Sequence, residues 1–192
     1  MTFAASMGLL SGIIQLASVF PYLRSMFSGT TRPNAVSFFV WTILGIIEIS
    51  AQLSAGVTWP AVITLCMTIG MVCILGLSLI GYGYRAYGWL DLLCLACALM
   101  AIIGWYVTQE PFVALAISIL GNVSAAVPTA VKAYLHPETE NFTGWAMACA
   151  ASLCALVSVQ AWTPVEMLMP MYLVAETSLL TALAWRGATT LT

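Results

Sequence analysis

Two carboxylates sit where carboxylates are costly. Glu48 falls in the apolar run 34–55 and Glu176 in the apolar run 165–185. An ionisable group at such a place is a functional candidate by default. Kept from water, a carboxylic acid can load and release a proton near neutral pH, which is the chemistry of a proton relay. The plainer reading is a protonated acid satisfied by a neighbouring hydroxyl or carbonyl. Gln52 stands four residues after Glu48, hence on the same helical face. Two further amides, Gln15 and Asn122, lie inside apolar runs, and a buried amide must be paired. Facing each other they would present donors and acceptors to a polar solute; otherwise they bind helix to helix.

Trp41 and Trp145 read as about two turns inside their helices, off the helix ends where Trp59, Trp89, Trp105, Trp162 and Trp185 fall. An amphipathic ring favours the headgroup zone, so five of the seven tryptophans mark interfaces. The remaining two suit the aromatic walls of a solute site, or core filler. Pro21 and Pro128 each remove one helix hydrogen bond and serve as hinges or as static kinks. Pro170 is assigned a kink alone.

The elements that would position these groups are membrane helices. The chain has 192 residues, 62% hydrophobic and 6% charged. Soluble domains carry roughly 25% charged residues. The apolar excess calls for lipid as a solvent, and the absence of a basic patch excludes nucleic acid. Met1 to Phe20 has no basic leader and continues into Pro21, so it reads as a retained helix. Seven segments reach spanning length, at about 4–26, 34–55, 60–82, 89–108, 111–135, 142–162 and 165–185. Pro60, Pro111 and Pro164 open helices, where a missing N–H costs nothing.

Charge supports the count. With seven spans, all five basic residues (Arg24, Arg32, Arg85, Lys132 and Arg186) fall on one side, and the opposite loops hold only Glu110 and Glu166. Lys and Arg stay cytoplasmic, which places the N-terminus outside and the C-terminus in the cytoplasm. Asp91 is expected to pair with Arg85 at a helix end.

Cys66, Cys73, Cys94, Cys97, Cys149 and Cys154 all lie in apolar runs. The pair Cys94 and Cys97 lacks the flanking pattern of a redox site, and no histidine set completes a metal site, so no cofactor or metal is called for. Asn122-Val123-Ser124 and Asn141-Phe142-Thr143 match the glycosylation sequon by accident of position.

The halves repeat. Ser11, Gln15 and Pro21 match Ser118, Asn122 and Pro128 at one offset; Phe38, Trp41, Pro60 and Met67 match Phe142, Trp145, Pro164 and Met171 at another. This divides the chain into a three-helix repeat at 1–83, a linker helix at 84–109 and a second three-helix repeat at 110–192, a 3+1+3 all-α membrane protein with parallel repeats.

With these features the chain resembles the PQ-loop and SWEET superfamily over nearly its whole length. The resemblance rests on Phe20-Pro21-Tyr22-Leu23 with Ser37-Phe38-Phe39-Val40-Trp41, and on Val127-Pro128-Thr129 with Phe142-Thr143-Gly144-Trp145. Tyr22 and Thr129 replace the glutamine of the PQ dipeptide, and the prolines of helices 2 and 6 and the asparagines of helices 3 and 7 have no counterpart. The resemblance implies two triple-helix bundles about a pseudo-twofold axis, moving a small polar solute by alternating access. It also implies that Trp41 and Trp145 line the solute site and that Pro21 and Pro128 hinge its gate. The loops at 31–34 and 136–138 are similar to those of small bacterial membrane proteins, implying a multi-pass protein of the bacterial inner membrane.

The expectation is therefore a transporter of a sugar or other small metabolite, proton-coupled through Glu48 and Glu176, with lipid and solute as partners. Monomer and homo-oligomer stay open. A non-transporting receptor or scaffold of the same fold is the alternative. An intramembrane enzyme is disfavoured, since His136 is the single histidine and no nucleophile–base pair can be assembled.

Overall fold

The structure, a computed structural model, describes residues 2–84 and 88–190. Among the described residues it is all helical. The long helices are α1 (Phe3–Phe27), α2 (Ala35–Ser54), α3 (Ala61–Leu77), α4 (Trp89–Thr108), α5 (Pro111–Leu135), α6 (Phe142–Val157) and α7 (Pro164–Thr190). A wide turn, Ser78–Tyr82, extends α3, and a short 3-10 turn, Pro137–Thr139, precedes α6.

Local chemistry sets these limits. Asn34 and Asn141 cap α2 and α6, each accepting a hydrogen bond from a first-turn amide. Their side chains are therefore spent on helix starts, and Asn122 is buried in mid-helix, which disposes of both sequons. Pro111 and Pro164 open their helices as expected. Helices α1 and α5 run unbroken through Pro21 and Pro128, and α7 runs through Pro170.

Helix α6 departs from the expected 142–162 and stops at Val157. The cause is a competing partner: the Glu166 carboxylate takes the N–H groups of Gln160 and Ala161 at 2.9 and 2.6 Å. Those amides would otherwise extend the helix. Trp162 then turns through a positive φ of 51° in the loop. At roughly 1.5 Å per residue α6 is about 24 Å long. Conversely, α7 continues past the expected 185 to Thr190.

Among the described residues five helices are long and apolar enough to cross a membrane: Phe3–Phe27, Ala35–Ser54, Ala61–Tyr82, Pro111–Leu135 and Pro164–Ala188. Their outward faces carry large apolar side chains, among them Phe20, Ile80, Leu120 and Leu179. Their inward faces carry Gln15, Glu48, Gln52, Asn122 and Glu176, all buried. Polar side chains turned inward among an apolar core, under an apolar exterior, fit a multi-pass membrane protein.

The packing follows a closed ring: α1 against α3, α3 against α2, α2 against α5, α5 against α7, α7 against α6, and α6 back against α1. Helix α4 lies outside it, against α5 and α2. Small residues allow the close approaches. A side chain at Gly12 would strike Val62 and Cys66 of α3, and one at Gly45 would strike Thr68.

Four loops and ends meet at one end of the ring. Tyr84 N–H donates to the Pro33 carbonyl at 2.8 Å, the Lys132 ammonium to the Arg32 carbonyl at 2.6 Å, and Arg186 lies over the Tyr134 ring at 4.7 Å. Arg32, Lys132 and Arg186 thus share that end. Arg85 and the side chain of Asp91 lie outside the described residues, and so does their expected pairing; the side chains of Cys94, Cys97 and Trp105 lie outside them too.

Candidate functional site

A partly open cavity of about 50 Å³ lies between α1, α2, α3, α6 and α7. Gln15 and Tyr22 of α1, Phe38 and Trp41 of α2, Trp145 of α6 and Glu176 of α7 give it its chemical character. A narrower extension of about 10 Å³ shares Trp41 and Glu176 and adds Glu48, Thr64, Asn122 and Tyr172. The sequence-derived candidates therefore divide. Gln15, Trp41, Trp145 and Glu176 meet at the main cavity, and Glu48 and Asn122 at its extension. Pro21 and Pro128 line neither.

Helical spacing brings these groups inward. Gln15 shares one face of α1 with Ser11, Ser18 and Tyr22, all buried and three or four residues apart. On α2, Phe38, Trp41, Glu48 and Gln52 form the corresponding face. Trp41 lies in the second turn of α2, but Trp145 lies in the first turn of α6, closer to the helix start than its match. Both are buried, at 3% and 7% exposure.

An aromatic row crosses the interior at the end where α1 finishes and α2 and α6 begin. Trp145 meets Tyr22 edge-on at 6.2 Å, Tyr22 meets Phe38 at 5.9 Å, and Phe38 meets Trp41 edge-on at 5.2 Å between ring centroids.

The polar groups are satisfied unequally. Asn122 donates from its amide to Glu48 Oε1, joining α5 to α2. Gln52 donates to the Thr64 hydroxyl at 3.0 Å, joining α2 to α3. By contrast, Gln15 Oε1, Trp41 Nε1 and Glu176 Oε1 are buried without a hydrogen-bond partner. Glu176 lies beside the Tyr172 hydroxyl one turn earlier on α7, and within electrostatic reach of Glu48. Gln15 and Asn122 thus line different spaces and do not act as a facing pair.

Sequence reasoning missed a second cluster. Glu140, just before α6, is buried and pairs with Lys132 at 2.6 Å. Its other oxygen accepts from Trp145 Nε1 at 3.0 Å, and Tyr22 faces it. The sequence shows Lys132 only as a topological charge; in the fold it is 7% exposed and ties the α5 end to the α1–α2 loop. The available signal was the spacing Glu140–Trp145 beside the apolar surroundings of Lys132, too weak to separate from a loop acid and a loop base. Among the described residues no cluster of metal-ligating side chains occurs, and Cys66, Cys73, Cys149 and Cys154 are free thiols. His136 is exposed, 3.6 Å from Glu138.

Comparison with protein-family models, with curated proteins and with solved structures finds no match in any of the three. The functional reading therefore rests on the chain's own geometry.

Proposed function

We propose that this chain is a carrier of a small polar solute, working by alternating access around the central cavity. The observation that carries the reading is a closed ring of helices around a partly open cavity lined by Glu176 and Gln15, each of which keeps one buried side-chain oxygen without a hydrogen-bond partner. A merely structural core would pair or omit such groups, because an unsatisfied buried acceptor costs about 1–3 kcal/mol and a charged one more.

The helix contacts support the 3+1+3 reading. Exchanging α1, α2 and α3 with α5, α6 and α7 maps every contact of the ring onto another, α1–α6 onto α5–α2 included. The clustering of Arg32, Lys132 and Arg186 at one end supports seven crossings with that end cytoplasmic and the N-terminus outside. In this reading α4 crosses beside the ring, and α6, short of the roughly 30 Å hydrocarbon core, crosses with the help of the loop 158–163. The resemblance to PQ-loop and SWEET proteins adds a bacterial inner membrane and Pro21 and Pro128 as gate hinges to the proposal.

The cavity has room for only a few waters in this conformation. We read this as a narrowed state, with the aromatic row and the Lys132–Glu140 pair at the cytoplasmic end. Glu48 and Glu176, within reach of each other, are the groups proposed to exchange protons during the cycle.

The test is counterflow and gradient-driven uptake in proteoliposomes over a panel of labelled amines, sugars and amino acids, for wild type, E48Q and E176Q. Uptake that follows a proton gradient and falls at least tenfold in E176Q is expected. No uptake of any panel member, with folded protein in the vesicles, would turn the reading toward a receptor or scaffold.

A further inference from the structure

The residues lining the cavity leave two acceptors unpaired, Glu176 Oε1 and Gln15 Oε1, and two groups that can donate, Trp41 Nε1 and the Tyr22 hydroxyl. The carboxylate is the one group among them that can carry a charge, and this names a ligand chemistry. Glu176 and Gln15 are both more than nine-tenths buried, and Glu176 Oε1 and Gln15 Oε1 have no hydrogen-bond partner. Both residues line the main cavity. The rest of its character is aromatic, from Tyr22, Phe38, Trp41 and Trp145. Among the described residues no Lys, Arg or His side chain lines either space. Lys132 is held by Glu140 and the Arg32 carbonyl.

We propose that this cavity binds a small primary amine in its ammonium form, a reading that rests on the cavity being a solute site. The ammonium donates to Glu176 Oε1 and Gln15 Oε1, and its positive charge compensates the buried carboxylate, which is otherwise expensive. The aromatic rings add cation–π attraction, strongest for tryptophan. A neutral sugar would supply no charge for Glu176. An α-amino acid would bring a second carboxylate into a cavity with no cation to receive it. A quaternary ammonium would leave both acceptors without an N–H. The volume sets the size: at about 10–15 Å³ per water-sized group, 50 Å³ takes about three to five non-hydrogen atoms. Glu48 stays outside the binding set, since its oxygen is already engaged by Asn122.

The experiment is isothermal titration of the full chain in phospholipid nanodiscs with ethylammonium, ethanol, tetramethylammonium, glycine and glucose. Ethylammonium should bind saturably and the other four at least tenfold more weakly. E176Q should weaken ethylammonium at least tenfold and Q15L about threefold or more. Thermal unfolding of each variant shows whether it is folded, and Q15L with the ligand ranking decides should E176Q fail to fold. Absence of ethylammonium binding, equal binding of glycine or glucose, or wild-type affinity in folded E176Q would overturn the proposal. Amine binding without counterflow would keep the amine site and remove the carrier. Counterflow of a neutral solute without amine binding would do the reverse.

Discussion

Gln15 and Asn122 stand at matched places in the first and last three helices, yet they do different work. Asn122 is consumed in holding Glu48, across the contact between α5 and α2. Gln15 keeps its oxygen unpaired at the cavity wall. The tryptophans divide in the same sense. Trp145, in the last three helices, is anchored through Nε1 to Glu140, while Trp41 has no partner for its indole N–H. The difference teaches that a repeated sequence need not give a repeated site. The first half supplies the two free groups and the second half the two tied ones, and the free ones gather around a single cavity with Glu176.

The comparison breaks most sharply at the Lys132–Glu140 pair, which has no counterpart at the matched position Ser25, where the side chain bonds a carbonyl of its own helix. K132M leaves Glu140 buried without its cation and should cost about 3–5 kcal/mol. Thermal unfolding in detergent should show a large drop, and the double variant K132M/E140Q should recover much of it. A single-variant loss under 1 kcal/mol would mean the pair is solvated and no latch.

Next in size is the contrast between the two buried carboxylates. N122A strands Glu48 and should cost about 1–3 kcal/mol. E176Q removes a carboxylate whose Oε1 is unpaired, so the same unfolding measurement should show little loss or a gain. Equal destabilisation by the two changes would erase the division between brace and binding group.

The smallest effect separates the tryptophans. W145F loses a hydrogen bond to a charged acceptor and should cost about 1.5–3 kcal/mol, part of it offset by retained packing. W41F loses no such bond and should lie well below W145F. Their reversal would place the anchored ring in the first half instead.

Much of the helical plan was legible in the sequence. Helix starts at Pro111 and Pro164 follow from proline at the first position, and those at Ala35 and Phe142 from the onset of the apolar runs, with Asn34 and Asn141 found as their caps only in the structure. The end of α6 was not legible, because Glu166 reaches back across the loop to take amides that the apolar pattern assigns to a helix. The candidates Gln15, Trp41, Trp145 and Glu176 stood out because polar or bulky groups interrupt apolar runs. Glu140 did not, since an acid in a loop between Pro137 and Asn141 looks solvated until α1, α5 and α6 close over it.

Composition and period by themselves determined that this chain folds as apolar helices with a few polar side chains turned toward one another, because lipid-length hydrophobic runs leave no other way to satisfy the backbone. Only the tertiary structure decided which of those side chains are spent on one another. Hydrogen bonds between Asn122 and Glu48, or between Trp145 and Glu140, depend on the rotation and depth at which helices meet, and nothing in the linear order fixes those. What remains unpaired after that pairing, Gln15 Oε1, Trp41 Nε1 and Glu176 Oε1 among it, is a property of the packed ring.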